Sequence, residues 1–306
     1  MAANPETIPE KTVNFTLNGR TLEAREGETI LQVAKRAGIE IPHLCYKDGY
    51  RAVGNCRSCM VEIEGERVLA PSCCRYPKDD MKVVSDNERS LLSQKMILEL
   101  LLADMPEQDE SPYARNSELD YWVRKLGVGK PRFEQRHQPS EDLTNAAIAV
   151  NLDACIQCTR CVRACREEQT NDVIGYAFRG EHSKIVFDLD DPMGDSTCVT
   201  CGECVQACPT GALMPANEVG KVEPDKQVES VCPYCGVGCL LTYNVKDNRI
   251  LYTDGRGGLS NHERLCVKGR YGFDYAHHPD RLKKPLIRRE GKAKTAEILG
   301  QDKLEE

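Results

Sequence analysis

No stretch of this chain is apolar for long enough to cross a bilayer. The longest run, residues 96–102, is short and broken by Glu99. The first ten residues have neither the apolar core of a secretory signal nor a twin-arginine pair, so the reading is of a cytoplasmic protein without a membrane span. A basic excess is lacking too. The formal net charge is −7, and phosphate contacts need a basic surface, which excludes nucleic acid as the main partner class. The local exception is Arg281, Lys283, Lys284, Arg288 and Arg289, either a solvated basic tail or a docking surface for an anionic cofactor or partner. None of the six histidines lies in a metal motif, so structural or surface roles are expected for them, including His43, His137 and the pair His277-His278. Gly127-Val128-Gly129-Lys130 lacks the rest of a phosphate loop and is discounted.

What the chain has in abundance is cysteine, 17 residues in 306. In a reducing compartment disulfides do not persist, so clustered cysteines indicate metal or redox chemistry. Their setting is an α+β chain. Val13, Phe15 and Leu17 alternate with polar residues, Asn18-Gly19 supplies a turn, and Thr21 to Ala24 returns, which predicts a hairpin. Thr29 is placed to cap a helix that Gly38 ends, and Pro42 forces an extended approach to the first cysteine. This order predicts a β-grasp [2Fe–2S] ferredoxin domain over residues 1–87. A leucine-rich packing helix and a surface connector follow over 88–150, with an apolar helical face at Leu91, Leu92, Met96 and Leu100 and a short helix near Leu119 to Leu126 anchored by Tyr121 and Trp122. Two similar cysteine runs make 151–216 a two-[4Fe–4S] ferredoxin-like domain. A linker near 217–228 leads to a small β-rich [4Fe–4S] domain at 229–289, with a strand, a turn at Asp247-Asn248 and a second strand, and 290–306 form a polar tail.

The cysteines sort into four sets. Cys45, Cys56, Cys59 and Cys73 supply the two thiolates per iron that a plant-type [2Fe–2S] cluster needs. Gly54 lets the backbone turn closely there, Arg57 adds positive charge, and Cys74 is left as a spare thiol. Zinc would tolerate one Cys-x2-Cys pair but leaves the preceding β-grasp pattern unexplained. Cys155, Cys158, Cys161, Cys165 and Cys198, Cys201, Cys204, Cys208 each form the C-x2-C-x2-C-x3-C run of bacterial ferredoxins. In such runs the fourth thiolate reaches the other cluster, so Cys208 completes the first [4Fe–4S] set and Cys165 the second. Cys232, Cys235, Cys239 and Cys266 form the last set, for a third [4Fe–4S] cluster or, on spacing alone, for zinc.

The order of these sets, with Cys232-Pro-Tyr-Cys-Gly-Val-Gly-Cys239 and Leu265-Cys-Val-Lys-Gly-Arg270, resembles the N-terminal iron–sulfur portion of the catalytic subunit of NAD-linked molybdenum/tungsten formate dehydrogenases, from about residue 12 to 289. That portion is related to the large iron–sulfur subunit of respiratory NADH dehydrogenase. The resemblance implies that the fourth cluster lies beside a Mo/W-bis-pterin guanine dinucleotide, with Lys268 between cluster and pterin. Two departures stand out. Many relatives carry a further cluster, held by one histidine and three cysteines, but residues 101–154 contain no cysteine and only His137. The catalytic Mo/W domain is not contained in these residues, so no catalytic residue is assigned. The Mo/W-pterin and the FMN/NAD are expected on partner chains or a missing domain, the partners being a flavin/NADH-binding iron–sulfur subunit and a separate Mo/W chain. The expected function is an electron relay between them through one [2Fe–2S] and three [4Fe–4S] clusters. Alternatives are a relay subunit of an NAD-reducing hydrogenase or NADH dehydrogenase, and a zinc-organised scaffold.

Overall fold

The structure, a computed structural model, describes residues 12–105, 117–135, 140–219 and 224–282. His137, the basic residues Lys283, Lys284, Arg288 and Arg289, and the tail at 290–306 lie outside them. Among the described residues no helix is long and apolar enough to cross a membrane. The chain mixes helix and strand and divides into two compact units, one up to Lys221 and one from Val222.

The first unit opens with the hairpin β1 (Thr12–Leu17) and β2 (Arg20–Arg25). Asn18 and Gly19 both have positive φ, 50° and 76°. That geometry matches the right-handed twist of the strands it joins. Helix α1 (Ile30–Arg36) starts on a capping box between Thr29 and Gln32, and Gly38, at φ +70°, turns the chain away after it. Strands β3 (Met60–Ile63), β4 (Ala70–Pro71) and β5 (Lys82–Val84) complete a sheet of order β2-β1-β5-β3-β4, with β1 and β5 parallel. Phe15, Leu17, Val61, Ile63 and Val83 from the sheet bury against Ile30, Leu31 and Val33 of α1. Each such side chain contributes roughly 1.5–3 kcal/mol when removed from water.

Helix α2 (Glu88–Leu102) corrects one expectation. Its buried stripe is Ser90, Gln94 and Leu98, while Leu92, Met96 and Leu100 are exposed. The helix docks through hydrogen bonds. Gln94 Nε2 donates to the carbonyls of Met60 (2.9 Å) and Ser85 (3.1 Å), and Ser90 Oγ donates to that of Val84. Helix α3 (Glu118–Leu126) has a Ser117–Asp120 capping box and ends at Gly127, whose φ of +63° explains that glycine without any phosphate loop. Trp122 is buried against His43 at a ring distance of 5.8 Å, whereas Tyr121 is half-exposed and donates its hydroxyl to Glu40.

Between residues 148 and 215 the elements are β6 (Ile148–Val150), α4 (Arg160–Arg163), β7 (Ile174–Ala177), β8 (Lys184–Phe187), α5 (Glu203–Ala207) and β9 (Leu213–Pro215). β6 and β9 pair antiparallel, and β7 and β8 form a hairpin. Tyr50, from the loop after α1, is buried with Ala164 and Ala207, which joins the two cysteine-bearing parts of this unit. Two alanines leave room for one aromatic ring.

The second unit is a three-stranded antiparallel sheet of β10 (Lys226–Val231), β11 (Leu240–Lys246) and β12 (Arg249–Gly255), followed by α6 (Val267–Tyr271). Asp247 and Asn248 supply the positive-φ turn between β11 and β12. The loop from 256 to 266 is pinned by buried Asn261. Its side chain accepts from Leu240 N–H and donates to the carbonyls of Leu240, Arg256 and Arg264. Thr253 Oγ1 donates to the carbonyls of Gly269 and Arg270, which fixes α6 on the sheet.

Candidate metal centres

The first set lies in the loop between α1 and β3, with Cys73 returning after β4. The backbone N–H of Cys45 donates to Cys56 Sγ at 3.4 Å, and Ser58 Oγ lies 3.1 Å from the same sulfur. Contacts from Cys56 and then Cys73 hold the Cys45 thiol far below its ordinary value, and contact with Cys73 lowers that of Cys59. Those same contacts push the Cys56 and Cys73 thiols up. The four side chains are therefore gathered, and they share protons that metal must displace. Cys74 Sγ sits 3.6 Å from Cys73 Sγ and over Gly54, where an added Cβ would lie 2.9 Å from it. Arg57 faces solvent.

The two ferredoxin-like runs share backbone geometry as well as spacing. Gln157 and Thr159 have φ of 56° and 59°, and the equivalent Thr200 and Gly202 have 55° and 76°. Left-handed positions at these intervals turn backbone N–H groups toward the loop interior, a concavity that favours anionic groups. Thr200 N–H accordingly donates to Cys198 Sγ at 3.3 Å. Cys155, Cys158, Cys161 and Cys208 line one cavity with Pro209 and Thr210. Burial, then the neighbouring Cys208, pushes the Cys158 thiol up to about 12, and burial, then the neighbouring thiols Cys158, Cys155 and Cys208, raises that of Cys161. Burial raises the Cys198 thiol, with Cys165 among the charges acting on it. Cys208 thus lines the same cavity as the thiols of the first run.

In the second unit, burial and then Cys232, Cys235 and Cys266 raise the Cys239 thiol, so these four also stand together. Cys232 N–H donates to the Cys239 carbonyl at 2.8 Å, and Gly269 lies so close that an added Cβ would be 3.5 Å from Cys232 Sγ. Cys235 and Cys266 are exposed. Lys268 is exposed on α6, two residues beyond Cys266.

Several residues of these sites escape a reading of cysteine spacing. Arg160, 1% exposed, forms a bidentate pair with Glu118 (2.7 and 2.9 Å) and donates to the Leu44 carbonyl. Arg163, 3% exposed, donates to the carbonyls of Arg51 (2.7 Å), Cys45 (2.6 Å) and Cys158 (3.3 Å). Tyr50 donates to buried Glu203, beside Cys204, at 2.8 Å. Glu118, in the first turn of α3, thus ties the segment 88–150 to the first run through Arg160. The available signal was the pair of arginines inside the first run, three residues apart, where a helix turn puts both on one side.

The donor sets fit iron–sulfur groups. Thiols line a cavity, the Thr200 N–H donates to a thiol sulfur, and among the described residues the Nε atoms of Arg160 and Arg163 are buried without an acceptor. Among the described residues no three Cys, His, Asp or Glu side chains converge tightly enough for a single ion.

Comparison with known proteins agrees. Residues 10–88 match the 2Fe-2S iron-sulfur cluster binding domain, residues 145–214 the ferredoxin-like domain of NADH-quinone oxidoreductase subunit 3, and residues 225–278 the molybdopterin oxidoreductase Fe4S4 domain. Each module is similar to the iron–sulfur domain family it matches. These domains also occur together in curated relatives. A subunit of the NADH-quinone oxidoreductase of Rhizobium meliloti is 34% identical over 91% of this chain and 33% of its own length. The NADPH-Fe(3+) oxidoreductase alpha subunit of Geobacter sulfurreducens is 31% identical over 90% of this chain and 33% of its own, and a putative formate dehydrogenase of Staphylococcus haemolyticus is 27% identical over 90% and 32%. The chain thus spans about a third of the length of these relatives. A chain in the crystal structure of an NAD+-reducing [NiFe]-hydrogenase, in the H2-reduced state, superposes with a TM-score of 0.62 at 26% identity, over 66% of this chain and 87% of that one. Iron–sulfur electron relay in oxidoreductase complexes is the role these domains share.

Proposed function

We propose that the chain is the relay of a NAD-linked formate dehydrogenase-like complex, carrying electrons between a Mo/W-pterin site and a flavin/NADH partner. When bound, each cluster supplies a one-electron redox step. Cys45, Cys56, Cys59 and Cys73 hold the [2Fe–2S] group. The three [4Fe–4S] groups are held by Cys155, Cys158, Cys161 and Cys208, by Cys198, Cys201, Cys204 and Cys165, and by Cys232, Cys235, Cys239 and Cys266. Lys268 lies on the path toward the pterin. The observation that carries this reading is the match of residues 225–278 to the molybdopterin oxidoreductase Fe4S4 domain, taken with the likeness to a putative formate dehydrogenase over 90% of the chain. The likeness to the NAD+-reducing hydrogenase chain favours, as second reading, a relay in a hydrogenase or NADH dehydrogenase complex.

The test is metal and acid-labile sulfide analysis of anaerobically purified complex, with co-purifying chains identified. About fourteen iron per chain are expected, from one [2Fe–2S] and three [4Fe–4S]. Abundant zinc, or half that iron, sinks the proposal, and molybdenum or tungsten on a partner separates the formate reading from the hydrogenase one. Cys266→Ala should remove one [4Fe–4S] paramagnetic signal and spare the [2Fe–2S] signal.

A further inference from the structure

We propose that Arg163 is the positioning residue that bridges the [2Fe–2S] site and the first [4Fe–4S] site, fixing the route and the driving force for electrons between them. One guanidinium nitrogen, Nη2, donates to the carbonyl of Cys45, from the first set, at 2.6 Å and to that of Cys158, from the second, at 3.3 Å. The other, Nη1, holds the Arg51 carbonyl at 2.7 Å, which fixes the loop running from Cys45 to Cys56. The two ligand loops are distant in sequence, and this side chain ties them directly. A second polar link between them is weaker. Asn55 Nδ2 reaches the carbonyls of Gln157 and Cys158 at 3.5 and 3.4 Å.

Two consequences rest on the relay role proposed for the chain. Each ligand carbonyl belongs to the residue whose thiolate holds iron, so the route from one site to the other runs through a few bonds and two hydrogen bonds. One electron leaves the reduced [2Fe–2S] group and one enters the [4Fe–4S] group. Only the electron moves between the groups, and no proton transfer is part of the step. The donor of that electron is a flavin in the complex; in the test it is dithionite for the redox titration and a photoexcited one-electron reductant for the rapid-freezing measurement. Arg163 also places a permanent positive charge, 3% exposed, between two groups that each become more negative on reduction. At low local dielectric that charge stabilises both reduced forms. A lysine keeps the charge but not the planar fork that holds three carbonyls at once.

The test uses the full chain, anaerobically reconstituted, with mediated redox titration followed by paramagnetic resonance. Rapid freezing after one-electron photoreduction then measures equilibration between the two groups. Arg163→Gln should load normally and lower the ratio of reduced to oxidised form at a given potential by about tenfold, ~59 mV for a one-electron couple. Arg163→Lys should keep the potentials close to the unaltered protein and slow the equilibration. Full loading of both variants with unchanged potentials and unchanged rate overturns the proposal and leaves the relay reading standing. Absence of both signals from the unaltered protein sinks the relay reading itself. If neither variant loads, the unaltered protein decides, because its two reduced signals must broaden one another magnetically, and sharp independent signals overturn the bridge.

Discussion

Replacing Gly255 by alanine tests how the fourth cysteine of the second unit is delivered. Gly255 ends β12, just before the loop that carries the chain to Cys266, and an added Cβ there would lie 2.0 Å from the Glu263 carbonyl oxygen and 2.6 Å from its carbon. Ordinary contact begins at 3.4 Å, so the obstructing peptide must move by about 1.4 Å, and it is backbone rather than a side-chain tip that can swing aside. Overpacking of this kind costs about 1–3 kcal/mol. The larger effect is geometric, because ligand positions must hold to about 0.2 Å for a metal site to form. Cys266 follows the displaced peptide by only three residues. Gly255→Ala should therefore lose about four iron per chain while the other three groups stay loaded. Gly257→Ala is the control, since its nearest neighbour is the Glu263 side chain at 3.9 Å and it should load fully. Iron and sulfide counts with paramagnetic resonance decide, and a fully loaded Gly255→Ala protein refutes the reasoning.

Glu118→Gln leaves Arg160 buried without its carboxylate partner. The loss should be about 1–2 kcal/mol, below the ~3–5 of a fully enclosed pair because the Glu118 side chain is 44% exposed, and a denaturation scan should show it as a lowered midpoint. Asp142 accepts from Met193 N–H (2.7 Å), Thr144 N–H (2.9 Å) and Thr144 Oγ1 (2.6 Å). Burial opposes its charge, but these donors outweigh burial and hold the carboxyl below 3.8. Its stabilisation is therefore full above that value and lost as pH falls through the lower, folded value. Asp142→Asn, which turns an amide donor toward other donors, should be less stable than the unaltered protein at pH 7, and the gap between their urea midpoints should narrow as the pH is lowered below 3.8.

The sequence was most legible where local chemistry dictates backbone. Asn18-Gly19 and Asp247-Asn248 demand positive φ, Thr29 with Gln32 closes a helix start, and cysteine intervals group thiols in space. It was least legible where contacts are polar and distant. Helix α2 was misread because periodicity counts apolar residues, while the groups that dock it are Ser90 and Gln94, aimed at carbonyls exposed near the ends of β3 and β5. Arg160 and Arg163 lie inside a cysteine run, where spacing draws attention to the thiols alone. Only the fold shows that their partners, Glu118, Leu44 and Cys45, lie 42 to 118 residues away in the chain. Tyr50 was invisible for the same reason, because its neighbours Ala164 and Ala207 carry no chemistry of their own.

The pairing of β6 with β9 sets Ile148 opposite Pro215, with both cysteine runs of the first unit between them. A segment that leaves and rejoins its host at adjacent points is topologically a cassette. It can be spliced into another chain at a surface turn without moving the flanking residues, and closing so long a loop adds little entropy beyond closing a short one. With the ligand sets proposed above, in which Cys165 and Cys208 cross between the two runs, that cassette is self-contained, because every thiol it needs lies inside it. What ties it to this host is Tyr50, Arg160 and Arg163, so a graft that omits their partners transfers the two metal sites without their connection to the third.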